Sequence, residues 1–232
     1  MITPQISFVL PVFNEEMNIT GAVEDIVSAS ASLGLGRYEI IIVNDGSTDS
    51  TKRILNSLRK KIKMLRIINF EKNRGYADAL KEGFKAAKYL LVFYTDADRQ
   101  CDIKELGSLL DAMEKYKCDC IFGYRKERKD SLYRILATWV FNVLARKMFD
   151  LDLRDINCPF KLFKKRVLDN IQIKSKGFLV DLELATKVKH CGFIIKQVPV
   201  THRKRYSGKS KLKFRTIFKT FFGLLKLRKY EI

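Results

Sequence analysis

Histidine and cysteine are too scarce and too poorly spaced in this chain for the common transition-metal sites. Its 232 residues include two histidines and five cysteines. Cys101, Cys118, Cys120, Cys158 and Cys191 form no C-x-x-C pair. An odd count without such spacing reads as reduced, mostly buried thiols of a cytosolic protein, not as a disulfide framework. Long apolar runs are missing too. The longest semi-apolar stretch, ILATWVFNVLA at residues 135–145, carries Asn142 and falls short of the roughly 18 residues needed to cross a bilayer. The opening MITPQISFVLPVFNEE lacks the basic start, apolar stretch and cleavage site of a signal peptide. We therefore expect no spanning segment. Acidic side chains almost vanish near the C-terminus: from Arg203 onward eleven Lys and Arg face only Glu231, more than half of the chain's net charge of +19. Such a tail calls for an anionic partner.

What is present is a regular alternation. Strands are predicted over residues 6–10, 39–43, 65–69, 90–94, 120–124 and 194–198. Helices are predicted over residues 16–32, 49–60, 76–87, 103–116, 131–149 and 180–190. A hydrophobic content of 47% supports a real core. This order implies an α/β fold with a mostly parallel sheet flanked by helices on both faces. Ligands of such sheets collect outside the carboxyl ends of the strands. PVFNEE, NDGSTD and TDAD each follow a strand directly, so they should converge on one site. Beyond them, Phe214, Ile217, Phe218, Phe221, Phe222 and Leu225 form one helical stripe, with Lys211, Arg215, Lys219 and Lys226 largely off it. A basic amphipathic helix of this kind suits an anionic membrane surface. Its aromatics make a stripe and not a base-stacking platform, so we expect no nucleic-acid partner.

The stretch LVFYTDADRQ, residues 91–100, places two carboxylates at the end of an apolar strand. If the chain stays extended there, Asp96 and Asp98 point the same way. Two like charges so close call for a cation between them, although Asp is also an ordinary turn former.

Five segments in order, PVFNEE, VNDGSTD, TDADRQ, DINCPFKLFKK and RYSGKSKL, resemble the signature series of family 2 glycosyltransferases with the GT-A (Rossmann-like) fold. The nearest branch is the dolichyl-phosphate mannose synthase and polyprenyl-phosphate glycosyltransferase group. The likeness runs from Ile6 to about Leu212. It implies a GT-A domain over residues 1–211, followed by the amphipathic helix over 212–232. It also implies donor-binding roles for Pro11, Phe13, Glu15, Asp45, Asp96, Arg125 and Arg134. Asp96, Asp98 and Gln100 become ligands of Mg²⁺ or Mn²⁺, a hard cation that takes carboxylate and amide oxygens. Arg205, Ser210 and Lys211 match R-x-x-G-x-S-K and would hold an acceptor phosphate, with Asp98 and Arg205 the catalytic groups.

The activity so implied is inverting transfer of a sugar from a GDP- or UDP-sugar to a polyprenyl phosphate, with mannose from GDP-mannose the first expectation. A phosphate acceptor arrives ionised and needs no general base, whereas a hydroxyl acceptor does. Asp181 and Glu183 in FLVDLELATK stand near where other family 2 enzymes keep a base. A hydroxyl-acceptor enzyme using one of them is the alternative, and Asp181 is counted among the candidate catalytic residues. The chain departs from the pattern at Phe13, where Tyr is usual, and at Pro159-Phe160-Lys161, where Gly-Phe-Arg is usual. The expected setting is peripheral, on the cytoplasmic face of a membrane, with room for a membrane-protein partner subunit.

Overall fold

The computed structural model describes residues 4–127, 129, 132–204, 223, 224, 227 and 228. The first half alternates as the sequence predicts: β1 (Gln5–Val12), α1 (Ile19–Ser32), β2 (Arg37–Asn44), α2 (Thr51–Lys61), β3 (Leu65–Asn69), α3 (Tyr76–Ala86) and β4 (Leu91–Thr95). The second half adds α4 (Leu106–Tyr116), β5 (Cys120–Arg125), α5 (Leu132–Phe149), β6 (Phe160–Lys164), α6 (Lys165–Asp169), α7 (Val180–His190) and β7 (Ile195–Val200). The helix expected over 103–116 begins with one 3₁₀ turn, Ile103–Glu105, whose start is capped by the Asp102 side chain accepting from Lys104 N.

The seven strands form one sheet in the order β3-β2-β1-β4-β6-β5-β7. β6 runs antiparallel to β4 and β5, and the other neighbouring pairs are parallel. β1 sits between β2 and β4 and is buried from Ile6 onward, as a strand covered on both faces must be. Phe8 and Leu10 of β1, with Ile40 and Ile42 of β2, pack beneath α1, α2 and α4. Val9, Ile41 and Val43 face the opposite layer, made by α3, α5 and α7. Gly83 brings α3 close: a Cβ there would collide with Val9 Cγ1. The result is two apolar layers enclosing a sheet whose β1, β2 and β4 loops open on one edge.

β6 is the element that the sequence did not announce. Its FKLFK is a short strand with Lys161 fully buried, a position that alternation assigns to an apolar side chain. The C-terminal stripe from Phe214 to Leu225, and the boundary drawn after residue 211, lie outside the described residues.

Candidate active site

Two loops at the carboxyl edge of the sheet are stitched together by hydrogen bonds. Asn14, in the left-handed region at φ 51°, accepts from Thr48 N at 2.8 Å through its side-chain oxygen, and its own amide donates to Ser47 Oγ at 3.0 Å. Glu16 accepts from Ser50 N at 2.8 Å, while Asp49 accepts from Glu16 N and Thr51 N at 3.2 and 3.0 Å. Asp49 thus acts at the start of α2 in the capping role its position suggests. Pro11 is buried at the end of β1, and Phe13 and Glu15 are half-buried just beyond it. The Glu15 carboxylate accepts from Asn18 Nδ2 at 2.7 Å. Asp45, buried, accepts from the amides of Arg74 and Gly75 at 2.6 and 2.9 Å and so fixes the entry to α3. PVFNEE and NDGSTD do converge.

The carboxylate pair lies beside them. The chain does not stay extended after β4: it turns at Ala97 and Asp98, and Arg99 takes φ 59°. The expected common direction of the two carboxylates therefore does not come from strand alternation. They are nevertheless close enough to act on one another. Burial first, and then the charge of Asp98, push the Asp96 carboxyl up to about 8. The Tyr76 hydroxyl donates to Asp96 Oδ1 at 3.1 Å. Asp98 accepts from the Gln100 amide at 3.1 Å. Gln100 accepts through its carbonyl from Arg203 N at 2.7 Å, and its side-chain Nε2 donates to the Arg203 carbonyl at 3.2 Å. The segment leading towards residue 205 is thereby tied to this loop.

A buried carboxyl pushed up to about 8 beside a second acidic group is a donor set that a hard divalent cation relieves, and the Gln100 amide oxygen belongs to the same chemistry. Among the described residues no three His, Cys, Asp or Glu side chains group around a metal position. The fitting set is two carboxylates and an amide, with the rest of the coordination left to phosphate and water.

Behind Asp96 lies a buried polar cluster. Lys161 Nζ donates to Tyr94 Oη at 2.8 Å, to the Cys158 carbonyl at 2.7 Å and to Asp181 Oδ1. The Tyr94 hydroxyl also donates to Asp181 Oδ1. Lys161 and Tyr94 are 0% exposed and Asp181 3%. Glu183, two residues on, faces elsewhere: it accepts from the amides of Lys174 and Ser175 and from Lys187 Nζ, which fastens the loop before α7.

The basic candidates separate. The Arg125 side chain is buried and forked onto Asp155, with Nε and NH2 contacts of 2.6 and 2.8 Å. Burial works against its charge, but Asp155 outweighs that and holds the guanidinium above its ordinary pKa. Arg125, expected to bind donor, is held in a buried ion pair with Asp155. Arg134 is half-buried in the first turn of α5. Arg205, Ser210 and Lys211 lie outside the described residues.

Sequence reading passed over Tyr76 and Tyr94 and saw Lys161 only as a departure from a pattern. Tyr76 follows Gly75 at the start of α3, so its place opposite Asp96 is visible only once α3 is laid against β4.

The sequence matches the family described as glycosyl transferase family 2 over residues 7–172. A dodecaprenyl-phosphate galacturonate synthase of Rhizobium johnstonii is 30% identical over 227 residues, covering 95% of this chain and 65% of that protein. A dolichol-phosphate mannosyltransferase of Pyrococcus furiosus is 29% identical over 235 residues, covering 98% of this chain and 64% of that one. The chain spans just under two thirds of the length of both relatives. In fold it is similar to glucosyl-3-phosphoglycerate synthase of Mycobacterium tuberculosis solved with Mn²⁺, UDP and phosphoglyceric acid. That likeness has a TM-score of 0.73 at 18% identity, over 97% of this chain and 78% of the other. It is also similar to a mannosyltransferase of Pyrobaculum calidifontis solved with GDP-Man and Mn²⁺, with a TM-score of 0.67 at 17% identity, over 90% and 59%. By sequence over most of its length, and by an arrangement of strands and loops that agrees, the chain belongs to glycosyl transferase family 2.

Proposed function

We propose that this protein transfers a sugar, with inversion, from a nucleoside diphosphate sugar to a polyprenyl phosphate at the cytoplasmic face of a membrane. Mannose from GDP-mannose is the first donor to try, since one relative is named for mannose and one similar fold was solved with GDP-Man. The observation that carries the acceptor class is the state of Asp181. The carboxylate best placed to be a base is neutralised by Lys161 and bonded by Tyr94, and Glu183 is spent on the loop before α7. Candidate bases engaged in this way suit an acceptor that arrives ionised.

Asp96, Asp98 and Gln100 would hold Mg²⁺ or Mn²⁺. Bound there, the cation supplies charge neutralisation for the departing diphosphate. Phe13 offers the nucleoside an apolar face, while Pro11, Glu15 and Asp45 shape the loops around it. The tie between Gln100 and Arg203 supports placing Arg205, Ser210 and Lys211 near the same phosphates. The membrane setting is supported by α5, whose Tyr133, Leu136 and Trp139 share one exposed face, the last two at 60%. No described helix is long and apolar enough to cross a bilayer.

The test is sugar transfer from labelled GDP- and UDP-sugars to a short polyprenyl phosphate with Mn²⁺ or Mg²⁺, comparing wild type with Asp98→Ala. Metal-dependent glycolipid that disappears in the variant is the expected result. Donor binding without lipid product from any sugar would sink the phosphate-acceptor reading.

A further inference from the structure

Lys161 stands at the crossing of three strands. In β6 it is the register partner of Tyr94 in β4 and Phe122 in β5, and its ammonium lies 5.1 and 5.0 Å from the centres of their rings. A lysine ammonium has three protons to donate. All three are used, on Tyr94 Oη, the Cys158 carbonyl and Asp181 Oδ1. Asp181 Oδ1 in turn receives two donors, the ammonium and the Tyr94 hydroxyl, which engage that one oxygen and set an ion pair at the carboxylate. Asp181 is not remote from the chemistry. Its partner Tyr94 lies in β4 two residues before Asp96, whose carboxylate accepts from the Tyr76 hydroxyl. With the diphosphate held at Asp96 and Asp98, a carboxylate in this place, released from its partners, would be a candidate base for the displacement.

We propose that Lys161 is a positioning residue that holds Asp181 out of proton transfer and thereby makes the site selective for acceptors that arrive ionised, against water and sugar hydroxyls. This deepens the phosphate-acceptor reading and rests on it. In the excluded reaction a water oxygen bonds to the anomeric carbon as the carbon–oxygen bond to the diphosphate breaks. The electron pair of that bond leaves on the nucleoside diphosphate, and the proton of the water passes to Asp181. A phosphate monoester oxygen forms the same bond with no proton to hand over. Removing the ammonium takes one hydrogen bond and the counter-charge from a buried carboxylate, which favours uptake of a proton.

The experiment follows two products from GDP-mannose or UDP-glucose with Mn²⁺. One is free sugar released without acceptor, and the other is glycolipid formed with a short polyprenyl phosphate. Wild type is compared with Lys161→Met, Lys161→Arg and the double variant Lys161→Met/Asp181→Asn, with melting curves confirming folding. Lys161→Met is expected to release free sugar about a hundredfold faster than wild type, the low end of what a positioned base contributes, while forming less glycolipid. Lys161→Arg, which keeps the charge, should hold release near the wild-type rate, and the double variant should lose the gain. A merely structural lysine would depress both products together. Folded Lys161→Met with no gain, or a gain that survives Asp181→Asn, overturns the proposal. Where Lys161→Met does not fold, wild-type turnover in D₂O decides: an unchanged rate is expected, and a clear slowing would mean that a proton moves with the sugar. If wild type makes no glycolipid from any donor, the acceptor reading fails, while the free-sugar comparison still judges Lys161.

Discussion

At the scale of single residues, the sharpest consequence concerns Asp96. Burial and the Asp98 charge push its carboxyl up to about 8, so the metal-free site carries a proton at neutral pH. A divalent cation has to displace that proton. The sign is then fixed: apparent Mn²⁺ affinity should rise about tenfold per pH unit up to about pH 8 and level off above it, as competition with one proton requires. Calorimetric titrations between pH 6 and 9 would show this slope, and Asp96→Asn should bind weakly with no slope. Arg125 makes a different prediction. As half of a buried pair with Asp155, its replacement by Met should cost about 3–5 kcal/mol of stability by leaving a buried charge alone, with little change in donor affinity. Chemical denaturation and nucleotide binding, measured side by side, separate that outcome from a phosphate grip. The two aspartates were legible because a strand ending in paired carboxylates is a local pattern. The partners of Asp181 were not, since Tyr94 and Lys161 lie 67 residues apart in sequence and meet only across paired strands.

At the scale of elements, the parallel half of the sheet could be read directly, because β1, β2 and β4 are apolar runs closed by turn residues. β6 could not. Its alternation is broken by a lysine, and a buried lysine is explicable only with Asp181 in view. α5 was foreseen as a helix, but its outward face acquires meaning only from exposure. Tyr133, Leu136 and Trp139 recur at helical spacing and remain open to solvent, which few soluble helices permit for three such side chains in a row. Leu136→Asp with Trp139→Asp should therefore weaken binding to anionic vesicles by roughly 1.5–3 kcal/mol per buried side chain lost. Melting temperature and donor affinity should stay put. Vesicle flotation beside a melting curve reads both, and equal flotation of the variant would remove α5 from the membrane contact.

At the scale of the whole molecule, the site is assembled from parts distant in sequence. The loops after β1 and β2, the start of α3, the Asp96–Gln100 turn and the approach to residue 205 are held to one another chiefly by hydrogen bonds at the sheet edge. The strands beneath are fixed by two apolar layers, so a ligand bridging these loops should stabilise the loops and the fold together. A ligand at a hundred times its dissociation constant adds about 2.7 kcal/mol to the folded state. Nucleoside diphosphate with Mn²⁺ should accordingly raise the melting temperature by several degrees, and neither component alone should match the pair, because the diphosphate supplies what two carboxylates and an amide leave open. Asp98→Ala should abolish the synergy, since the diphosphate–cation pair loses one of its two carboxylates. Running GDP and UDP in parallel then identifies the base. A larger shift with GDP favours the mannose donor, a larger shift with UDP redirects the search, and equal shifts without metal would dismantle the Asp96–Asp98–Gln100 assignment.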